Sequence, residues 1–133
     1  MRFREHRVHA RSTLSVLAAG LTALALALPA PAAAASLTAH LQAPNHSPVV
    51  GKKWYITVTV TDNGKKIGGS VRYEFLFAGM VVSTQPGHSF KAGVYHDWLL
   101  FPKKSVGYPL TLRVVVKTSD GTANLDWKVN VKA

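Results

Sequence analysis

Cysteine is absent from this 133-residue sequence, and its absence excludes several kinds of chemistry at once. No disulfide can form, and no thiolate is available as a nucleophile or as a metal ligand. Lipid attachment through a cysteine is excluded for the same reason. A folded domain in this chain must therefore be held together mainly by hydrophobic packing, which is feasible for about 100 residues.

Acidic residues are scarce, with six Asp and Glu against sixteen Lys and Arg. Glycoside hydrolysis requires a pair of carboxylates, but most of these acids have local structural explanations. Asp62 and Asp120 stand in predicted turns, and Glu74 and Asp126 occupy outward strand positions. The sequence also contains no G-x-S-x-G nucleophile motif and no Gly-rich phosphate loop. We therefore expect no enzymatic activity and no cofactor.

Long apolar runs are missing except at the N-terminus, where residues 14–28 read LSVLAAGLTALALAL. This run is shorter than the ~20 apolar residues of a membrane span. An arginine-rich start precedes it and the small residues PAPAAAAS follow it, which is the layout of a secretory signal. The sequence thus predicts a signal peptide at 1–35 and a single domain at 36–133, secreted or extracytoplasmic, without a membrane span. The Ala-rich signal is typical of bacteria.

Alternation with a period of two dominates residues 36–133. In KWYITVTVTD it places Trp54, Ile56, Val58 and Val60 on one face and Tyr55 and the threonines on the other. This pattern predicts strands with one buried face. Further strands are predicted in SLTAHLQ, SVRYEFLF, GMVVST, VYHDWLLF, PLTLRVVVKT and NLDWKVNVKA. About seven strands separated by Gly, Asn, Asp and Pro turns predict an antiparallel β-sandwich, with a closed barrel as the alternative.

The segment PKKSVGYPLTLRVVVKTSDGTANLDWKVNVKA resembles the closing part of bacterial immunoglobulin-like and PKD-like secreted domains. That resemblance implies an all-β, immunoglobulin-like antiparallel sandwich and says little about function. It also implies that Tyr108 is the corner tyrosine, whose hydroxyl ties the preceding loop to the following strand. Since the cysteine pair of antibody domains is missing, Trp54, Trp127, Tyr73 and Phe75 are expected to fill the space between the sheets.

Histidines in the segment QPGHSFKAGVYHDW give a competing functional hypothesis. His88, His96 and His40 are candidate copper or zinc ligands, although none has the tight spacing of a dedicated metal site. The structural interpretation is favoured: QPGHSF predicts a turn, and VYHDWLLF predicts a strand. We expect that strand to bury the face containing His96 and Trp98, because burying Asp97 without a partner would cost several kcal/mol.

Three lysine pairs remain, at 52–53, 65–66 and 103–104. The sequence does not determine whether these pairs lie together. A secreted, non-enzymatic binding or structural module of the bacterial cell envelope is the function that these features favour. Its partner is expected to be an anionic envelope polymer, bound by lysines, or another envelope protein, bound at a strand edge. No nucleic-acid partner is expected.

Overall fold

The computed structural model describes residues 36–133, so the predicted signal peptide at 1–35 lies outside the described residues. The strands are β1 (Leu37–Gln42), β2 (Trp54–Asp62), β3 (Lys65–Lys66), β4 (Gly69–Phe77), β5 (Met80–Phe90), β6 (Val94–Leu99), β7 (Pro109–Thr118) and β8 (Gly121–Asn130). A 3-10 turn, Lys103–Ser105, lies between β6 and β7. No helix among these described residues has the length and apolarity to span a membrane.

Two antiparallel sheets make up the domain. In the first sheet, β2 is the central strand, with β1 on one edge and β6 and the short β3 on the other. The second sheet has the order β5-β4-β7-β8. The sequence-based prediction of an all-β antiparallel sandwich is confirmed, and the two separate sheets exclude the closed barrel. The eighth strand, which the pattern did not predict, is the two-residue β3 that returns from the Asn63-Gly64 turn.

The core lies between the sheets and follows the predicted alternation closely in β2. Trp54, Ile56, Val58 and Val60 are all buried, whereas the side chains between them are exposed or half-buried. The opposing sheet contributes buried residues mainly from β4, β7 and β8, namely Val71, Tyr73, Phe75, Leu112, Val114, Val116 and Val129. Alternation therefore predicts the buried face of β2.

The exposure of β4 departs from strict alternation at its last two residues. Continuing the pattern of Val71, Tyr73 and Phe75 would bury Phe77 and expose Leu76, but Leu76 is 6% exposed and Phe77 is 39% exposed. The pairing with β7 runs without a shift to Phe77, so Phe77 stays on the inward face and is exposed as the last residue of the strand. The register with β5 shifts between Phe75 and Leu76, and the extra residue of this bulge lies on β5.

The predicted turn in QPGHSF is wrong, because these residues belong to the long strand β5. The register with β4 shifts a second time between Val71 and Tyr73, and Pro86 and Gly87 lie at this shift. The irregularity accommodates Pro86, which has no N–H to donate to the ladder. At Gly87 a Cβ atom would lie 2.8 Å from the carbonyl oxygen of Val71, so glycine permits the close approach.

The predicted buried face of β6 is also wrong. Leu99 and Phe101 are buried, and Tyr95 and Asp97 are half-buried, so this odd-numbered face is turned inward. His96 is exposed on the outer face of the first sheet rather than at the rim of the core.

Candidate functional site

Lysines gather at one end of the sandwich, which we call the basic end: residues 49–53, 77–82, 100–108 and 131–133. Two of the three lysine pairs, 52–53 and 103–104, lie in these segments, and Lys132 adds a fifth charge. Within the described residues, these segments contain no aspartate or glutamate. A cluster of like charges produces a positive potential that attracts anions.

Backbone and aromatic contacts hold the segments of the basic end together. The Gly51 N–H donates to the carbonyl of Phe101 at 3.3 Å, which joins the loops that carry the two lysine pairs. The Phe101 ring packs edge-to-face on both Trp54 and Phe75, which come from different sheets. The Val50 N–H donates to the Lys132 carbonyl at 2.9 Å. The lysines are therefore presented by loops that are anchored to the core.

Apolar side chains are exposed at the same end. Phe77, Val82, Leu100 and Tyr108 have exposed fractions of 39%, 58%, 50% and 52%. The Phe77 and Tyr108 rings pack edge-to-face with centroids 5.7 Å apart. Exposed apolar side chains that cluster in this way indicate a binding surface more often than scattered ones do.

The opposite end of the sandwich has a mixed charge. It carries four exposed lysines, Lys65, Lys66, Lys91 and Lys117, together with the carboxyl groups of Asp62 and Asp120. The third lysine pair, 65–66, is therefore separated from the other two by the length of β2. This end is consequently less suited to an anionic partner.

Asp97 is a polar link between the two sheets. The Tyr73 hydroxyl on β4 donates to Asp97 Oδ2 at 2.5 Å, and the Tyr95 hydroxyl donates to the same oxygen at 3.2 Å. The Trp98 N–H donates to Asp97 Oδ1 at 2.8 Å. Burial, followed by the hydrogen bond to Asp97, raises the pKa of Tyr73, so that its phenol stays protonated and remains a donor. These partners explain why Asp97 can face inward.

The structure does not bring the candidate metal ligands together. The His88 ring stacks on Tyr95, whose centroid is 6.1 Å away on the inward face of β6. His96 lies on the outward face, where its Nδ1 is 3.1 Å from Thr57 Oγ1. His40 is on the outer face of β1, opposite Thr59. Between residues 36 and 133, no group of three His, Cys, Asp or Glu side chains is arranged to hold a metal ion. Metal binding by these histidines stays a prediction.

The two tryptophans predicted to be structural hold the chain between β1 and β2. Trp54 is buried and its Nε1 donates to Asn45 Oδ1 at 3.2 Å, while Trp127 Nε1 donates to the Asn45 carbonyl at 3.1 Å. His46 stacks on Trp127 with centroids 4.5 Å apart. Trp127 is half-buried and packs against the rim of the core, whereas Trp54 belongs to the core itself.

Tyr108 is exposed, and its ring lies against Phe77. The tie to the preceding loop is made by its backbone, because the Tyr108 N–H donates to the Ser105 carbonyl at 3.4 Å.

Asp62 should make the stability of the domain depend on pH. A hydrogen bond with the Asp120 carboxyl group, assisted by burial, raises the pKa of Asp62 from its usual 3.8. An acid whose folded pKa is raised stabilises the fold fully at pH below 3.8, and this stability is lost as the pH rises through the folded value. We therefore expect the difference in melting temperature between Asp62→Asn and the parent to be more favourable to the variant at pH 7 than at acidic pH.

Asp126→Asn provides a control of opposite sign. Arg113 donates two hydrogen bonds to Asp126, which lower its pKa. This pair stabilises the fold at neutral pH, and its contribution is lost as the pH falls through the lowered value. Melting curves of both variants from acidic to neutral pH should diverge from the parent in opposite directions. Parallel curves for the three proteins would contradict the assignment.

Comparison with known proteins supports the fold. No protein-family model matches the chain, and no curated protein matches it. Among solved structures, an engineered protein determined by crystallography superposes with a TM-score of 0.53 at 21% sequence identity. The match covers 76% of this chain but only 21% of that protein, so the chain spans about a fifth of its length.

The chain is also similar to the CARDB domain of the PF1109 protein from Pyrococcus furiosus. The crystal structure of that domain, which was solved in complex with di-metal ions, gives a TM-score of 0.46 at 15% identity over 73% of this chain and 93% of that one. Its solution NMR structure gives 0.42 at 16% identity over 73% and 94%. The fold of the described residues is an all-β sandwich of two antiparallel sheets.

Proposed function

We propose that this chain is a non-enzymatic binding module, exported to the bacterial cell exterior, that binds an anionic envelope polymer through its basic end. The observation that carries the proposal is the convergence of five lysines in segments that contain no acidic side chain. A polymer with repeated negative charges contacts several lysines at once, and the attraction adds up over the contacts. The signal-like sequence at 1–35 supports export.

The carboxylates of the domain support a non-enzymatic role. Catalytic acids and bases must be free to exchange a proton with a substrate. Three of the acids instead have cationic or hydroxyl partners: Glu74 with Arg72, Asp126 with Arg113, and Asp97 with Tyr73 and Tyr95. The two others, Asp62 and Asp120, neighbour each other beside turns at the opposite end.

A protein partner added at a strand edge is the less favoured interpretation. The exposed edge strand β5 would be the acceptor, but Pro86 removes one donor and two register shifts interrupt its pairing with β4. Proline and bulges in an edge strand are features that prevent further strand pairing. The basic end therefore has more support as the binding surface.

The proposal is tested by titrating the purified protein with a soluble poly(glycerol phosphate) and with a neutral dextran of similar length. We expect binding of the anionic polymer only. This binding should weaken strongly between 0.1 M and 1 M salt, where the screening length falls from about 10 Å to about 3 Å. Binding that resists salt, or equal binding of dextran, would refute the proposal.

A further inference from the structure

A pocket opens at the basic end, between the edge strand β5 and the segment that follows β6. Its volume is about 510 Å³. Apolar side chains form most of its wall, including Phe75, Phe77, Val82, Leu100, Phe101 and Tyr108. Small-molecule sites are mostly apolar clefts of about 300–1,000 Å³ with a few polar groups, so this pocket has the size and chemistry of a ligand site.

The pocket lies between the end of β4 and the segment that leaves the first sheet after β6, at Leu100. Phe77 lines it from the same inward face of β4 as Phe75, because the pairing of β4 with β7 runs without a shift to Phe77, and Val82 lines it at the bulge of β5. Phe101 is the floor, since its ring is 3% exposed and packs against Phe75. A rigid floor beneath exposed apolar walls allows an inserted apolar chain to gain contacts without rearrangement of the core.

Among the described residues, Lys104 is the only charged one in the wall of the pocket. Lys103 precedes it in the same 3-10 turn but does not line the pocket. The Ser105 hydroxyl is already engaged, because it donates to the Pro102 carbonyl at 2.6 Å. The charge beside this apolar cavity is therefore positive and complements an anion.

We propose that this pocket binds the single acyl chain of an anionic amphiphile, with the chain against Phe101 and the anionic head group at Lys104. The proposal deepens the proposed function, because it rests on the same basic end and assigns a lipid-bearing anion as ligand. A peptide strand is a poorer occupant, since β5 is interrupted by Pro86 and by two register shifts. Because the site is concave, it fits a single inserted acyl chain better than it fits a flat membrane surface.

Three probes, used as monomers, separate the contributions of chain and head group. Dodecyl phosphate should bind the purified protein and raise its melting temperature. Dodecyltrimethylammonium has the same chain with the opposite charge, and it should bind at least about tenfold more weakly. Glycerol phosphate has no chain and should bind more weakly still. Equal binding of the anionic and cationic amphiphiles would overturn the proposal.

Two matched pairs of variants localise the site on exposed positions, where substitution should not prevent folding. Val82 lines the pocket and is 58% exposed, whereas Val81 is 48% exposed and lies outside the lining. We expect Val82→Glu to lower the affinity for dodecyl phosphate by about tenfold, because it places a charge where the bound acyl chain would make an apolar contact. Val81→Glu should leave this affinity nearly unchanged. Lys104→Gln should weaken binding more than Lys103→Gln. Equal effects within either pair would overturn the assignment.

The same variants distinguish this proposal from the polymer-binding function. If Val82→Glu weakens amphiphile binding and leaves poly(glycerol phosphate) binding intact, the pocket is a distinct subsite of the basic end. If the polymer binds but dodecyl phosphate does not, the pocket proposal fails and the proposed function stands. Binding to vesicles of phosphatidylglycerol without binding of the monomer would identify a membrane-docking surface, and would also overturn the pocket assignment.

Discussion

Asp97→Ala is expected to lower the free energy of unfolding by about 1–3 kcal/mol, although the residue is only half-buried. The reason is the Tyr73 hydroxyl, which would lose the acceptor 2.5 Å away while its side chain stays 1% exposed. A buried donor without an acceptor costs more than the net value of the hydrogen bond that it had formed. For a domain of this size, each kcal/mol corresponds to a fall of about 4–8 °C in melting temperature.

The hydroxyl group can be separated from the packing of the ring by a double-mutant cycle. Tyr73→Phe removes the donor and keeps the ring. The double variant Tyr73→Phe/Asp97→Ala should therefore lose less free energy of unfolding than the sum of the losses in the two single variants. Tyr95→Phe is the matched control, because its longer bond of 3.2 Å joins a half-buried ring to the same oxygen. Urea unfolding is measured for the parent, the three single variants and the double variant. Additive effects of Tyr73→Phe and Asp97→Ala would show that the inter-sheet hydrogen bond does not stabilise the fold.

Sequence reasoning succeeded where local pattern and tertiary structure agree. The alternation of β2 predicts its buried face because the strand is regular over all nine residues and lies at the centre of its sheet. The same reasoning failed in β6, because Asp97 was assumed to have no partner. That partner, Tyr73, is 24 residues away in the chain and belongs to the other sheet. No local pattern reports such a contact.

The basic end and its pocket could be predicted only in part. The sequence shows the lysine pairs, but their convergence depends on the hydrogen bond between Gly51 and Phe101, which joins loops about fifty residues apart. The pocket combines side chains from β4, β5 and the segment between β6 and β7. Val82 lines the pocket at a bulge of β5, and an alternating pattern does not predict this bulge.

Removal of four lysine charges from the basic end should weaken anionic-polymer binding by about 100-fold to 1,000-fold at low salt. The variant replaces Lys52, Lys53, Lys103 and Lys104 with glutamine, and all four side chains are exposed, so folding should be preserved. Each lysine close to an anionic surface contributes about 1 kcal/mol, and 1.4 kcal/mol corresponds to a tenfold change in affinity. Lys132 is left unchanged, so that the variant loses four charges, the number that the opposite end can match.

The matched control removes the same number of charges from the opposite end, with Lys65, Lys66, Lys91 and Lys117 replaced by glutamine. Both variants have the same net charge, so they differ only in where the charge is lost. The most direct measurement is the dissociation constant of the parent and both variants for poly(glycerol phosphate), determined by calorimetry at one low salt concentration. The account predicts a large loss for the basic-end variant and a small loss for the control. Equal losses of affinity in the two variants would mean that only the net charge matters. Either this result or an unchanged affinity of the basic-end variant would contradict a binding site at the basic end.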